Sequence, residues 1–586
     1  MGTISDKLMR IINTKEDIRQ ALISKGYDVP TSIPFKEYAK MILDLPCKVD
    51  SFPDIEGIVA RYSASGLTNE QMAANPVWVD KTGNGHDLQM KNFAWGGMSG
   101  VGGYEMNFNL WTNNVPSIPD ISMSTTTTSV SVSVGNSTYN NNLIYIHMNN
   151  WDINKNHWLK VTSTYEDGDL VFKFYNDNNS KNIELPANGY VNIPAYPEFK
   201  GNYMYISTTS NKQGSFTIEQ LPLYPGFILG DGVDDFAVTE KELNFEDTYT
   251  VYTAFISFQN NPTRNMILCG ADSEKTFSMQ YSSLVYVSFI AGNNYYINAD
   301  FVNGLNLFAC KRNGNNIYIK NLLTNKVVTG TCGDWVENAG LYYLWKNATY
   351  ASFARTAIAG QTICNGYFST DEDDEKVLDW YKKQYPWLFP DQAWTVVGKT
   401  NEDEDRATIA NITGNGNDLV CLNLGFIEGS GYNEEGEYAG YLVTDGVDDK
   451  ITSSTFEMGN DWTVIGDWEL INTGKNDNAG IVKFDSIVIY NYNPILINIK
   501  NGRNNLIPDQ NTVNAICSDG RIYSKDWKES IYNEETESTS KNFLTIGYSG
   551  NAYTKIAFKN LAIYPTVLSR EDCIKAYNYL QTLKAK

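Results

Sequence analysis

Asp231, Asp234 and Asp235 crowd around Gly232, and Asp445, Asp448 and Asp449 repeat the same spacing around Gly446. Three carboxylates beside a flexible glycine offer hard oxygen ligands of the kind calcium takes. The spacing lacks the alternating ligands and closing glutamate of an EF-hand loop, so a turn packed on a β-sheet is the favoured reading and a calcium site the alternative. Two more acidic runs stand out. Asp371 to Lys376 (DEDDEK) falls where a helix is expected to start, and negative charge is stabilised there by the helix dipole. Asn401 to Arg406 (NEDEDR) reads as a solvated loop. Nucleophilic catalysis is poorly supplied: His86, His147 and His157 are the only histidines, each in a stretch rich in Asn, Asp or Trp with no nucleophile motif beside it. The eight cysteines, Cys47, Cys269, Cys310, Cys332, Cys364, Cys421, Cys517 and Cys573, include no C-x-x-C pair. They read as buried thiols rather than a disulfide framework or a zinc centre. No catalytic residue, metal or cofactor is expected.

The elements that would position these groups change character along the chain. At 586 residues it is too long for a single core, and three or four domains are expected. Hydrophobic residues make up 42%, aromatics 13% and charged residues 19%, which is globular usage rich in tyrosine. A net charge of −22 repels a phosphate backbone and an anionic membrane surface. The N-terminal segment has no hydrophobic signal core, and no run approaches the roughly 20 apolar residues that span a bilayer. The chain is therefore expected to be made in a cytoplasm, without nucleic-acid partners or membrane insertion.

The first segment reads as a helical hairpin. Thr14 can cap a helix with Asp17 in its first turn and Ile18, Ala21 and Leu22 on one face, stopped by Gly26. After Val29 to Ile33, Pro34 suits a first helical position, and Phe35, Tyr38, Met41, Ile42 and Leu45 recur at helical spacing. Such a hairpin buries too little surface to stand alone, so Ile18, Leu22, Phe35, Tyr38 and Ile42 are the expected partner-binding face. The pattern T-K-x-x-I-x-x-A-L-x-x-K-G followed by V-P-x-x-x-P-F-x-x-Y-A-x-x-I, Thr14 to Ile42, resembles the N-terminus of many tailed-phage fibre and virion proteins. That resemblance implies an attachment peg.

From about Ser51 the texture is β: apolar alternation, Asn-Gly and Asp-Gly turns, little helical periodicity. An ordered internal repeat follows. TGNGHDL at Thr82 to Leu88 returns as TGNGNDL at Thr413 to Leu419; GDGVDDF at Gly230 returns as TDGVDDK at Thr444; ACKRNGNNIYIKN around Cys310 parallels AICSDGRIYSKDW around Cys517. Both copies end in a predicted helix, starting at Ser369 and at Ser569. The closing segment KIAFKNLAIYPTVLSREDCIKAYNYL resembles the terminal strand and helix of laminin-G-like, concanavalin-type jelly rolls, a family commonly used for binding. In the first copy TGNG and DGVDD are far apart, which predicts an insertion. Within it Val130, Val132 and Val134 alternate, Leu159 and Val161 lead to a turn at Glu166 to Asp169, Val171 resumes a strand, and Phe216 and Ile218 alternate again.

The expectation is a mainly β, multidomain protein of jelly-roll and β-sandwich modules with a short N-terminal helical hairpin. Residues 1–48 form the anchor, 49–105 and 226–389 the first laminin-G-like jelly roll, 106–225 an inserted small β-sandwich and 390–586 the second jelly roll. The resemblances imply a non-enzymatic virion protein, a head or tail fibre or decoration subunit most like those of phages infecting gut Bacteroides, of the crAss-like type. They imply other virion structural proteins and host-surface glycans as partners, and a homotrimer by likeness to phage fibres; no heptad or collagen-like run specifies three chains. Trp151, His157 and Trp158, or Trp335, Trp345, Trp462 and Trp468, could face a glycan, with core packing the default. The alternatives are a free lectin and a polysaccharide-degrading glycosidase. Glycosidases of the concanavalin-like type often carry E-x-D-x-x-E along one strand, which is missing here, although paired acids can also come from distant segments.

Overall fold

The computed structural model describes residues 52–113, 121–135, 146–147, 151–152, 157–175, 180–193, 199, 203–208, 213–257, 266–270, 277–281, 286–290, 296–300, 304–334, 339–346, 353–436, 438–471, 480–484, 487–490, 496–499, 505–506, 513–524, 527, 529–531, 544–548 and 553–585. The chain divides after Asp54, and the elements from Ile58 onward belong to one compact unit, Ile55–Lys586. The expected N-terminal helices, with Ile18, Leu22, Phe35, Tyr38 and Ile42, lie outside the described residues.

The fold is mainly β and antiparallel. Six sheets of five or eight strands pair up around three apolar cores. In the first pair one sheet runs in the order Lys326–Thr331, Asn316–Asn321, Gly304–Asn313, Thr248–Ser257, Arg355–Asn365, Tyr224–Asp231 and Gly100–Gly102, with Ile58–Ser63 also on Arg355–Asn365. Its partner sheet runs from Val77–Trp78 and Leu88–Lys91 through Phe236–Thr239 to Tyr296–Asp300. Between them lie Tyr62, Val251, Phe255 and Phe308 from one sheet and Leu88, Met90, Ala237, Met279 and Leu344 from the other.

The second pair repeats this order strand for strand. Glu529–Ile531, Arg521–Ser524, Val513–Cys517, Thr463–Leu470, Ile556–Tyr564, Leu442–Val443 and Gly431–Tyr432 form one sheet, with Gln392–Thr395 on Ile556–Tyr564. Even the irregularities correspond. The register between the two central strands slips at Ala254/Phe255 in the first pair and at Asp467/Trp468 in the second, as expected of a bulge retained in duplicated sheets.

The third pair consists of two five-stranded sheets, and alternation explains its core. Ser129–Val134 reads SVSVSV; Val130, Val132 and Val134 are buried while the serines between them are not. Leu159, Val161, Phe216 and Ile218 come from the neighbouring strands and Phe172, Phe174 and Ile206 from the opposite sheet. Period-two side chains put every second residue on one face, so a valine at each second place is enough to build it.

Three helices are described from α1, Asn69–Ala74, onward: α2 spans Asp371–Gln384 and α3 Arg570–Thr582. The sequence placed the start of α2 at Ser369, but the cap is Thr370, whose hydroxyl accepts the Asp373 N–H while the Asp373 carboxylate returns to the Thr370 N–H. The acidic run Asp371–Asp374 therefore sits in the first turn, where the dipole favours it. Strand Gly304–Asn313 is buried on both faces: Cys310 points into the inter-sheet core, and Lys311 points out towards Asp374 of α2.

Candidate functional site

The two acidic turns are built alike. The Asp231 N–H donates to Asp235 Oδ2 at 2.9 Å, and Asp231 Oδ1 accepts from the Val233 and Asp234 N–H groups at 2.7 and 3.4 Å. In the second turn Asp445 N–H donates to Asp449 Oδ2 at 2.8 Å, and Asp445 Oδ1 accepts from Val447 and Asp448 at 2.7 and 3.3 Å. Gly232 and Gly446 take φ of +79° and +78°, a region closed to most side chains. A loop beside each turn closes it. Asn92 and Asn423 each donate to the carbonyl of the middle aspartate, Asp234 or Asp448, at 3.0 Å. The Ser430 hydroxyl donates to Asp449 Oδ2 at 2.7 Å, and Ser99 hydrogen-bonds Asp235.

In each turn the three carboxylates bring ligand oxygens within 4.8 Å of one another. Yet the oxygens just named already receive N–H and O–H donors, which is the work of a turn lock. Asp235 and Asp449 are almost fully buried, and Oδ1 of each has no hydrogen-bond partner. Burial pushes the Asp235 carboxyl up to about 6; the Ser99 and Asp231 bonds pull it back, and the neighbouring Asp231 and Asp234 charges add to the rise. Asp449 moves in the same direction for the same reasons. A carboxyl raised in the folded state binds its proton more tightly folded than unfolded, so its contribution is complete below about pH 4 and is lost as pH rises through about 6. Asp235→Asn keeps an oxygen acceptor and carries no charge. It should gain roughly 2–3 kcal/mol on the wild type between pH 4 and pH 7, read from urea midpoints at the two pH values; a constant difference would rule out the titration of Asp235.

The acids of α2 are committed as well. Lys311 Nζ lies 2.7 Å from Asp374 Oδ2, and Lys320 Nζ lies 3.0 Å from the same oxygen and 2.6 Å from Asp371 Oδ1. Tyr252 and Ser369 donate their hydroxyls to Asp374 Oδ1 at 2.9 and 3.2 Å. Burial pushes the Lys311 ammonium down against the pull of Asp374, whereas for Lys320 burial is outweighed by the bonds to Asp371 and Asp374, and its pKa rises. The sequence read this run as a dipole-stabilised first turn, which it is; the two lysines under it were not foreseen. NEDEDR is the loop expected, with Glu402, Glu404 and Asp405 exposed, and two of its acids have local partners. Asp403 accepts the Thr400 N–H at 2.9 Å, Asp405 pairs with the buried Lys399 at 2.9 Å, and the Asn401 amide makes both bonds to the Tyr432 backbone at 2.7 and 2.8 Å. Thr400 and Lys399 thus hold Asp403 and Asp405, while Glu402 and Glu404 are exposed.

The aromatic candidates mostly serve the cores. Trp345, Trp462 and Trp468 are fully or almost fully buried, and Trp151 packs on Trp111, His157 and Phe172. Trp158 meets Trp527 and Tyr577 edge to face, with ring centroids 6.2 and 5.5 Å away. Trp151, Trp345, Trp462 and Trp468 therefore offer no open platform; Trp158 is partly exposed, and Trp335 lies outside the described residues. His86 is buried, its pKa lowered chiefly by that burial, and the His157 ring nitrogen Nε2 lies 2.7 Å from the Asp152 carbonyl. For His147 only the backbone strand is described. A cavity of about 210 Å³ between α2 and α3, lined by Leu305, Leu378, Phe389, Ile412, Tyr579 and Leu583 among others, is smaller than the roughly 300–1,000 Å³ of ordinary ligand pockets.

Sequence reasoning missed two repeated anchors. Asn69 bonds both backbone groups of Val101 just as Asn401 bonds those of Tyr432. Asn92 and Trp95 take φ of +68° and +51°, and Asn423 and Phe426 take +66° and +51°. The signals were present as T-N-E at Thr68 and Thr400 and as N-[FL]-[AG]-[WF]-x-x-x-S-G at Asn92 and Asn423.

No family model matches the chain, and no curated protein matches it. Solved structures do. The botulinum neurotoxin serotype D binding domain aligns over 59% of this chain and 90% of its own at 11% identity and a TM-score of 0.26. The serotype D ligand-binding domain in complex with N-acetylneuraminic acid gives 59%, 88%, 10% and 0.26, and the serotype DC binding domain in complex with SialylT gives 56%, 87%, 9% and 0.25. At these values the likeness transfers neither a site nor a ligand to this chain.

Proposed function

We propose that this chain is a non-enzymatic structural subunit of a bacteriophage particle, a head or tail fibre or decoration protein. In this reading it is made in the host cytoplasm, attached to other virion proteins by its N-terminal segment and displays β-sandwich modules towards host-surface glycans. We further propose the modular division 1–48, 49–105 with 226–389, 106–225 and 390–586, the third block being inserted in the first jelly roll. The observation that carries the non-enzymatic reading is the use made of the reactive side chains. Asp231, Asp235, Asp445 and Asp449 of the DGVDD turns, Asp371, Asp373 and Asp374 of α2, and Asp403 and Asp405 accept hydrogen bonds or ion pairs that hold turns and helix ends in place. A glycosidase instead needs two carboxyls about 5–9.5 Å apart facing a substrate. Among the described residues no helix is long and apolar enough to cross a membrane.

Immunogold labelling of purified particles tests the virion assignment and separates head from tail. The anchor is tested by incorporation. Phe35→Ala with Tyr38→Ala removes two aromatic contacts, each capable of roughly 2 kcal/mol or more, and particle occupancy should fall while far-UV circular dichroism keeps its β signal. Undiminished occupancy after deleting residues 1–45 would place attachment elsewhere, and turnover of a host capsular polysaccharide would overturn the non-enzymatic reading.

A further inference from the structure

The duplicated sheets allow their closing helices to be compared residue by residue. Thr250 and Thr463 hold equivalent places. The Thr250 hydroxyl accepts the Ser369 N–H at 3.0 Å and donates to the Tyr367 carbonyl at 3.2 Å; the Thr463 hydroxyl accepts the Leu568 N–H at 2.9 Å and donates to the Thr566 carbonyl at 2.8 Å. Across the strand Thr250 pairs with Lys311, and Thr463 pairs with Cys517. In the helices, Asp374 bonds back to the cap carbonyl of Thr370 at 3.1 Å, and Cys573 bonds back to that of Ser569 at 2.8 Å. The buried ion pair Lys311–Asp374 that ties α2 to its sheet is thus replaced, under α3, by Cys517 and Cys573. Both are fully buried, and one short chain of contacts sets their sulfurs near each other: the Thr463 hydroxyl lies 3.7 Å from Cys517 Sγ and accepts the Leu568 N–H at 2.9 Å, and the Cys573 thiol donates to the Leu568 carbonyl at 4.0 Å.

We propose that Cys517 and Cys573 are a disulfide site, a thiol pair that a small-molecule disulfide oxidises to a covalent staple between the sheet and α3. The Cys517 thiolate attacks the reagent RSSR, forming a mixed disulfide and releasing RS⁻. The Cys573 thiolate then attacks the Cys517 sulfur and releases the second RS⁻. The net change is two protein thiols and RSSR converted to one protein disulfide and two RSH. The surroundings suit this order of attack. The neighbouring Cys573 thiol, the Thr463 hydroxyl 3.7 Å away and the Arg521 guanidinium hold the Cys517 thiol below its ordinary value, while burial pushes Cys573 up. Burial likewise raises Cys364 and Cys421 to about 12 and Cys310 further, so those thiols compete poorly. Cys573 lies in the N-terminal part of α3, and opening of that end is the step that admits the reagent.

The full-length native protein is incubated with oxidised glutathione, denatured and alkylated. Two of its eight thiols should be protected, and peptide mapping should find Cys517 joined to Cys573. Oxidised wild type should then unfold at higher urea concentration than reduced wild type, with no such shift in Cys573→Ala. Mild urea should speed the reaction, because helix opening limits it. Eight alkylated thiols after prolonged oxidation in mild urea, a product that stays glutathionylated, or a cross-link to a different cysteine would each overturn the proposal.

Discussion

Asp374→Ala should destabilise the first sheet pair by about 3–5 kcal/mol, because it removes one partner of a buried ionic cluster and leaves the others in place. The side chains of Lys311 and Asp374 are 6% and 2% exposed, so water cannot replace the lost carboxylate. Lys311 would keep the Ser369 carbonyl at 3.0 Å and Lys320 would keep Asp371, but Tyr252 and Ser369 would lose their acceptor. Lys311→Met combined with Asp374→Leu should recover much of the loss, since an apolar pair of similar volume needs no counter-charge. The check is a urea titration of each variant followed by circular dichroism. A single-substitution cost below about 1 kcal/mol, typical of an exposed pair, would mean that the cluster is solvated.

That cluster shows what could and could not be read along the chain. The helix start, the acidic first turn and the alternating valines of Ser129–Val134 depend on residues a few places apart, and propensity and period report such neighbours directly. The ordered repeat was legible because TGNG, DGVDD and the hairpins around Cys310 and Cys517 keep their sequence, and the strand order of the two large sheet pairs agrees with it. Lys311 and Asp374 are 63 positions apart, and nothing local marks either as the other's counter-ion. Their replacement by Cys517 and Cys573 is visible only once Thr250 and Thr463 have been matched through the hydrogen bonds they share. The tryptophans show the same limit: composition permits a glycan platform, and only the packing partners decide. Asn69 and Asn401 were within reach, since T-N-E precedes TGNG in both copies; the first asparagine lies in a short helix and the second in a turn, which hid the match.

Replacing both Tyr577 and Tyr579 by alanine should uncouple the three sheet pairs, since α3 touches all of them. This helix packs on its own sheet pair: its first turn lies over Cys517, and Gln581 donates to Asp467 at 3.1 Å. It also reaches further. Tyr577 meets Trp527 of the second pair and Trp158 of the small pair edge to face, with centroids 5.6 and 5.5 Å away, and Arg570 stacks over Tyr190 of the small pair at 5.4 Å. The Tyr579 hydroxyl accepts the buried Leu305 N–H of the first pair at 2.8 Å, and its ring packs on Trp387 at 5.7 Å. Gly304 makes room for that approach; a Cβ there would stand 2.5 Å from the tyrosine oxygen. Removing a buried aromatic ring costs about 3–5 kcal/mol, and Tyr579→Ala also strands the Leu305 N–H at about 1–3 kcal/mol. Each core keeps its own apolar residues, so the loss should fall on the contacts between pairs. Calorimetry should then show melting split into separate transitions, and limited proteolysis should cut near residues 221–226, where the small pair rejoins the first. Tyr579→Phe keeps the ring and isolates the hydrogen bond. A double variant that melts like the wild type, with no new cleavage, would show that the pairs are held together by contacts other than α3.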